Sequence, residues 1–154
     1  ESGLRSGTEN VPAIVGFGAA CEIAAECMGE LGSRMNEMRG RVEQGLHELG
    51  AMIFGERAPR IPNTSYFAFK GIDGEALVIE LDKHGYAVAA GAACSSTSSE
   101  PSATLLAMGV APEVARGAVR LSLGAGNTMG EVEGFLDTLA ATVARLKRLT
   151  AVAV

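Results

Sequence analysis

Tryptophan is absent from this 154-residue chain, and phenylalanine and tyrosine together contribute only 5% of it. A core without large aromatic anchors has to be built from aliphatic side chains, with methionine filling irregular gaps. Basic clusters are missing too. The net charge is −5, the pI is near 5.1, and no Arg- or Lys-rich stripe is present, which argues against nucleic acid as a partner. Only two histidines, His47 and His84, and three cysteines at irregular spacing occur, so neither a Cys/His zinc site nor a disulfide framework is expected. The apolar stretches look short and are broken by glycine or charge, so no membrane-spanning segment is expected. The polar opening Glu1-Ser-Gly-Leu-Arg-Ser6 does not read as a signal peptide, and the cytosol is the expected location.

What the chain does contain is 47% hydrophobic and 20% charged residues, ordinary globular usage, and twenty glycines. A helical pattern runs from Asn10 to about Leu49. Asn10 can cap it, Pro12 is tolerated in the first turn, and Gly50 is a natural stop. Leu31, Met35, Met38, Val42, Leu46 and Leu49 recur at steps of three and four and form one apolar face. Gly29 and Gly32 predict a division into two helices or a bend, which also makes a candidate boundary between two lobes. Short strands follow at Met52–Phe54 and Thr64–Phe69, then a helix from Asp73 to His84 capped by Asp73 and stopped by Gly85. Tyr86–Ala90 reads as a strand leading into Gly91-Ala-Ala-Cys94, followed by the polar run Ser95–Ser99. Pro101 opens a short helix closed by Gly109, Ala118–Leu123 alternates as a strand, and Thr128 with Glu131 forms a capping box for the last helix. Val132, Phe135, Leu136, Leu139, Val143 and Leu146 are its apolar face. The order predicts an α+β lobe with helices on a small sheet.

Three features can carry chemistry. Cys94 follows a strand and precedes five consecutive hydroxyl residues, a small-residue setting suited to presenting a nucleophilic thiolate. A buried cysteine acting as a small hydrophobe accounts for the same position. Cys21 and Cys27, among Ala, Ile and Met on the first helix, read as core cysteines. Arg120 shares a strand face with Ser122, opposite Val119, Leu121 and Leu123. There it can fork a carboxylate, or it can be a solvated edge charge. Ser6-Gly-Thr8-Glu-Asn10 enters a helix N-terminus, where N–H groups, dipole and the Thr8 hydroxyl suit a phosphate, although capping explains these residues equally well.

Three strings bear on the choice. Arg5-Ser-Gly-Thr-Glu-Asn10-Val-Pro, Ala90-Gly-Ala-Ala-Cys94-Ser-Ser with Glu100-Pro-Ser, and Val119-Arg-Leu-Ser-Leu-Gly-Ala-Gly-Asn-Thr128 resemble, in order and separation, three motifs of the C-terminal part of NifS/IscS-type cysteine desulfurases. The resemblance implies a fold-type I pyridoxal 5'-phosphate enzyme of the class V aminotransferase-like group. Such an enzyme is usually a homodimer that takes sulfur from L-cysteine, leaves L-alanine, and passes a persulfide to acceptor or scaffold proteins for iron–sulfur cluster assembly or thiolation. On that basis Cys94 is the persulfide-forming residue, Arg120 holds the substrate α-carboxylate, and Thr8 reaches the cofactor phosphate of the other subunit. The polar run after Cys94 corresponds to the family's sulfur-carrying loop.

The sequence also departs from the pattern. The family's Schiff-base lysine stands beside a histidine, upstream of the Arg-Ser-Gly-Thr motif. Here the lysines are Lys70, Lys83 and Lys147, none in that setting, so the chain alone is expected to be inactive. A position that is often Arg in the family is Ala125. The chain opens without Met inside what the family builds as one domain, so it reads as a fragment. Residues 1–30 would be a remnant of the large cofactor-binding domain and 31–154 the small C-terminal lobe. A selenocysteine lyase or cysteine sulfinate desulfinase relative, and a non-catalytic partner-binding domain, are the alternative readings.

Overall fold

The structure is a computed structural model that describes residues 7–91 and 101–152. Its elements follow in the order α1 (Val11–Glu48), β1 (Met52–Ile53), β2 (Thr64–Ala68), α2 (Gly74–Asp82), β3 (Ala89–Ala90), α3 (Ala103–Ala107), α4 (Pro112–Arg116), β4 (Ala118–Ser122) and α5 (Met129–Val152). The four strands form one antiparallel sheet in the order β1-β2-β4-β3. An α+β lobe was expected, and this is one.

Local chemistry sets the helix ends. The Asn10 side chain accepts the Ala13 N–H at 3.2 Å, and Asp73 accepts that of Ala76 at 3.0 Å. The capping box of α5 is formed in both directions, with Thr128 N–H donating to Glu131 and Glu131 N–H donating to the Thr128 hydroxyl. At the end of α1, Gly50 takes φ +78°. Its N–H donates to His47 O, and Ala51 N–H donates to Leu46 O, the paired bonds that close a helix through a left-handed residue. Gly85 ends α2 in the same way, with Tyr86 N–H returning to Leu81 O at 3.1 Å.

The core lies on one face of the sheet. Phe67, Val119 and Leu121 point into it, and α1, α2 and α5 cover it with Met38, Val42, Leu46, Leu77, Leu81, Leu139 and Val143. Fully burying one such aliphatic side chain contributes roughly 1.5–3 kcal/mol. A smaller cluster on the opposite face joins Phe54, Ala68 and Ala118 to Leu105 of α3 and Ala115 of α4.

Four expectations need correcting. First, α1 is a single helix of 38 residues and is not divided at Gly29 and Gly32. A glycine costs about 1 kcal/mol in a helix interior, too little to break a run rich in Ala, Glu, Met and Leu. Second, Cys21 and Cys27 are exposed rather than core residues. Every residue from 11 to 30 is exposed, because this half of α1 projects past the sheet and the other helices, and burial begins only at Leu31. Third, part of α1 is apolar enough to cross a membrane by length and composition, with a mean hydropathy of 1.5 over 18 residues. Interrupting glycines hardly lower hydropathy, and charges are sparse there. Fourth, the strand expected over Tyr86–Ala90 pairs only at Ala89 and Ala90. The Tyr86 ring packs edge-on against Phe135 of α5 at 5.5 Å, and Tyr86–Val88 stand apart from Leu121–Leu123 across a cavity instead of pairing with them.

The β1–β2 connection is held to α1 by charge. Arg60 donates both guanidinium ends to Glu43, at 2.7 and 3.0 Å, and Arg39 donates to Ile61 O at 2.5 Å. Burial alone would raise the Glu43 pKa. The hydrogen bonds and positive charge of Arg60, with Arg39 adding to them, outweigh burial and hold the carboxyl below its ordinary value of 4.5. A depressed folded-state pKa contributes stability that is present above about pH 4.5 and lost as pH falls through the lower folded value. Chemical denaturation as a function of pH should therefore show Glu43→Gln as less stable than the wild type at pH 7. The gap should shrink as the pH falls below about 4.5.

Candidate active site

The face of the sheet turned away from the main core carries its polar side chains except Ser65, which is buried on the core side. Strand alternation places Thr64 and Tyr66 of β2 beside Ser122 and Arg120 of β4, and the register pairs Thr64 with Ser122 and Tyr66 with Arg120. Arg120 is exposed, as is Ser122, while Ala118, Val119 and Leu121 are buried. Among the described residues, Arg120 is the only charged side chain that the sheet carries. The Thr64 and Ser122 hydroxyls lie 3.3 Å apart.

The pairing type sets how closely these groups approach. Leu123 N–H donates to Asn63 O at 2.8 Å, which makes Asn63 and Leu123 a hydrogen-bonded pair. Counting along the ladder, Tyr66 and Arg120 form a non-hydrogen-bonded pair, the closer of the two antiparallel types. On its other edge Arg120 faces Ala89 of β3. A strand-borne guanidinium, open to solvent with the Ser122 and Thr64 hydroxyls on the same face, can grip a carboxylate through two parallel N–H donors.

Along the same strand, where the β3–β4 ladder stops, Gly85–Val88 and Leu121–Leu123 part around a cavity of about 380 Å³. Asn127 and Glu131 stand at its polar side, and Val42, Val132 and Phe135 close its apolar side. Hydrogen bonds from the Thr128 backbone, the Asn127 amide and the Thr128 hydroxyl hold the Glu131 pKa below the ordinary carboxylate value, so it is charged near neutrality. Arg120 is not part of that wall.

Thr8 lies at the other extreme of the molecule. It is exposed two residues before the Asn10 cap, and Met35 is the first buried residue of α1. At 1.5 Å per residue that is on the order of 36 Å along the helix from Val11, so one chain does not bring Thr8 to Arg120. Cys94 falls outside the described residues, as do Ser95–Ser99. The described part nearest to it in sequence is Gly91, whose N–H donates to Ala118 O at 3.1 Å and whose carbonyl accepts from Tyr66 Oη at 3.4 Å. Reading the sequence missed Tyr66. Alternation in Thr64–Ala68 puts it on a face, but its pairing with Arg120 joins positions 54 residues apart and leaves no local signal.

The sequence pattern of the aminotransferase class-V family matches residues 1–135. The chain belongs to that family. Among curated class-V relatives, a cysteine desulfurase of Gluconacetobacter diazotrophicus is 41% identical over 152 residues, covering 97% of this chain and 38% of its own length. Cysteine desulfurase IscS 1 of Archaeoglobus fulgidus is 40% identical over 151 residues, covering 97% and 40%. A solved NifS-like protein superposes with a TM-score of 0.79 at 38% identity, over 94% of this chain and 36% of its own. This class-V chain therefore spans about two-fifths of the length of the curated relatives it matches.

The exposed Arg120 suits the binding of a carboxylate. Of the lysines, Lys83 pairs with Glu80 at 2.8 Å, Lys147 lies over the Phe69 ring, and Lys70 sits in the turn after β2.

Proposed function

We propose that these residues are the sulfur-handling part of a cysteine desulfurase that depends on pyridoxal 5'-phosphate, and that they act within a longer polypeptide. The observation that carries this reading is the match over nearly the whole chain to relatives named cysteine desulfurase, at 40–41% identity. The solvent-open Arg120 supports it independently, since a strand-borne guanidinium among hydroxyls is what an α-carboxylate needs. When bound, the cofactor supplies an electron sink.

In this reading the Cys94 thiolate attacks the substrate's sulfur. A sulfur–sulfur bond forms and the substrate's carbon–sulfur bond breaks. The electron pair stays with carbon, which takes up a proton and leaves as alanine. The persulfide on Cys94 is then passed to an acceptor protein. Arg120 orients the substrate throughout. Thr8, far from Arg120 in its own chain, serves the cofactor phosphate of a second subunit, which makes the active enzyme a homodimer. Residues 1–30 belong with the large domain of the polypeptide and 31–154 form the small lobe. The exposed apolar half of α1 is covered by that large domain rather than by lipid.

In the complete polypeptide, Cys94→Ser should abolish sulfur release while the cofactor's absorbance remains. Undiminished alanine production by that variant would sink the assignment. Arg120→Ala should raise KM for cysteine by about 10- to 100-fold, the loss expected for one charge-assisted bidentate contact, with kcat changed less. An unaltered KM would remove Arg120 from the site. The 154-residue chain by itself should retain no stoichiometric pyridoxal phosphate through gel filtration, read from the cofactor's absorbance, and one retained aldimine on a single lysine would overturn this.

A further inference from the structure

Tyr66 is placed to do more than fill space. Its ring meets Phe54 edge-on at 5.3 Å on the β1 side. Its hydroxyl reaches the carbonyl of Gly91 on the far side of β4, in line with β3. In the sheet order β1-β2-β4-β3, the side chain therefore crosses over β4 on the open face. It can do so because residue 118 is alanine: Ala118 is fully buried in the same small cluster that Tyr66 packs against. Arg120, the direct partner of Tyr66 across the ladder, stands next along the same face.

Gly91 is where the chain leaves the sheet toward Cys94. Two hydrogen bonds hold it, one from its own N–H to Ala118 O and one to its carbonyl from Tyr66. The first is an ordinary ladder bond. The second is a side-chain tie from the strand that pairs with Arg120.

We propose that Tyr66 is a positioning residue, fixing the spacing between the Arg120 guanidinium and the point at which the chain departs for Cys94. The inference rests on the reading of Cys94 as sulfur carrier. Tyr66 acts through its hydroxyl on Gly91 and touches no reacting atom. Removing that hydroxyl leaves the carboxylate grip intact and frees the Gly91 carbonyl, so substrate binding and sulfur transfer separate.

The test is Tyr66→Phe in the complete polypeptide, beside Cys94→Ser as control. Phenylalanine keeps the ring against Phe54, so the variant should fold. The expected result is a fall in kcat of about fivefold to tenfold, the size of one hydrogen bond's contribution. KM for cysteine should stay within about twofold, and amide exchange at Gly91 should be faster. Unchanged kcat would overturn the proposal. So would a KM that rises in step with the loss of kcat, because Tyr66 would then contact substrate. A loss matched by a lowered Tm, with Gly91 exchange unchanged, would reduce the residue to packing and overturn it as well. If Cys94→Ser still released sulfur, the reading of Cys94 would fail. If Cys94→Ser were inactive and Tyr66→Phe behaved as wild type, only the role of Tyr66 would fail.

Discussion

The antiparallel pairing of β2 with β4 underlies every other feature of this lobe. It joins Thr64–Ala68 to Ala118–Ser122 across about fifty residues and gives the sheet its longest ladder among the described residues, since β1 and β3 pair there over two residues each. Its register decides which side chains share a face. Phe67 and Val119 meet on the core side, and Tyr66 and Arg120 meet on the open side. A slip of one residue would drive Arg120 into an aliphatic core and expose Val119. The burial of Phe67, Val119, Leu46 and Leu139 therefore fixes the position of the arginine as surely as it stabilises the fold.

The same ladder explains why the two faces differ in use. One is sealed by three helices whose stripes were written at helical spacing. Among the described residues the other is covered at one end, by the short helices α3 and α4 over Ala68 and Ala118, which leaves Arg120 and Ser122 open. Small residues do particular work there. Ala118 lets the Tyr66 ring pass, and Ala89, paired with Arg120, keeps the edge strand low beside the guanidinium. At Gly117 an added Cβ would fall 2.5 Å from Ile72 O, so the turn into β4 accepts no side chain.

The projecting half of α1 is the counterpart of that open face. Val15, Phe17, Ile23 and Met28 are all more than half exposed, an amount of apolar surface that an isolated lobe rarely leaves on one element. The helix is nonetheless continuous, because its buried half, from Met35 to Leu46, anchors it and the alanines and glutamates of its exposed half offset Gly16, Gly18 and Gly29.

Local signals are short-range, and those the sequence carried were legible. The caps at Asn10, Asp73 and Thr128, the stops at Gly50 and Gly85, the apolar stripes of α1 and α5, and the alternation that turns Arg120 away from the core all depend on residues within one or two turns of each other. The three motifs resembling cysteine desulfurases were likewise contiguous strings. What sequence could not supply was anything set by packing between distant segments. The continuity of α1 through two glycines, the exposure of Cys21 and Cys27, the shortness of β3, the five-residue helix α4, and the placing of Tyr66 beside Arg120 with its hydroxyl on Gly91 are of this kind. Periodicity states which face of an element is apolar. Only the tertiary structure decides what that face meets, because the free energy of burial is settled by the partner surface and not by the strand or helix that presents it.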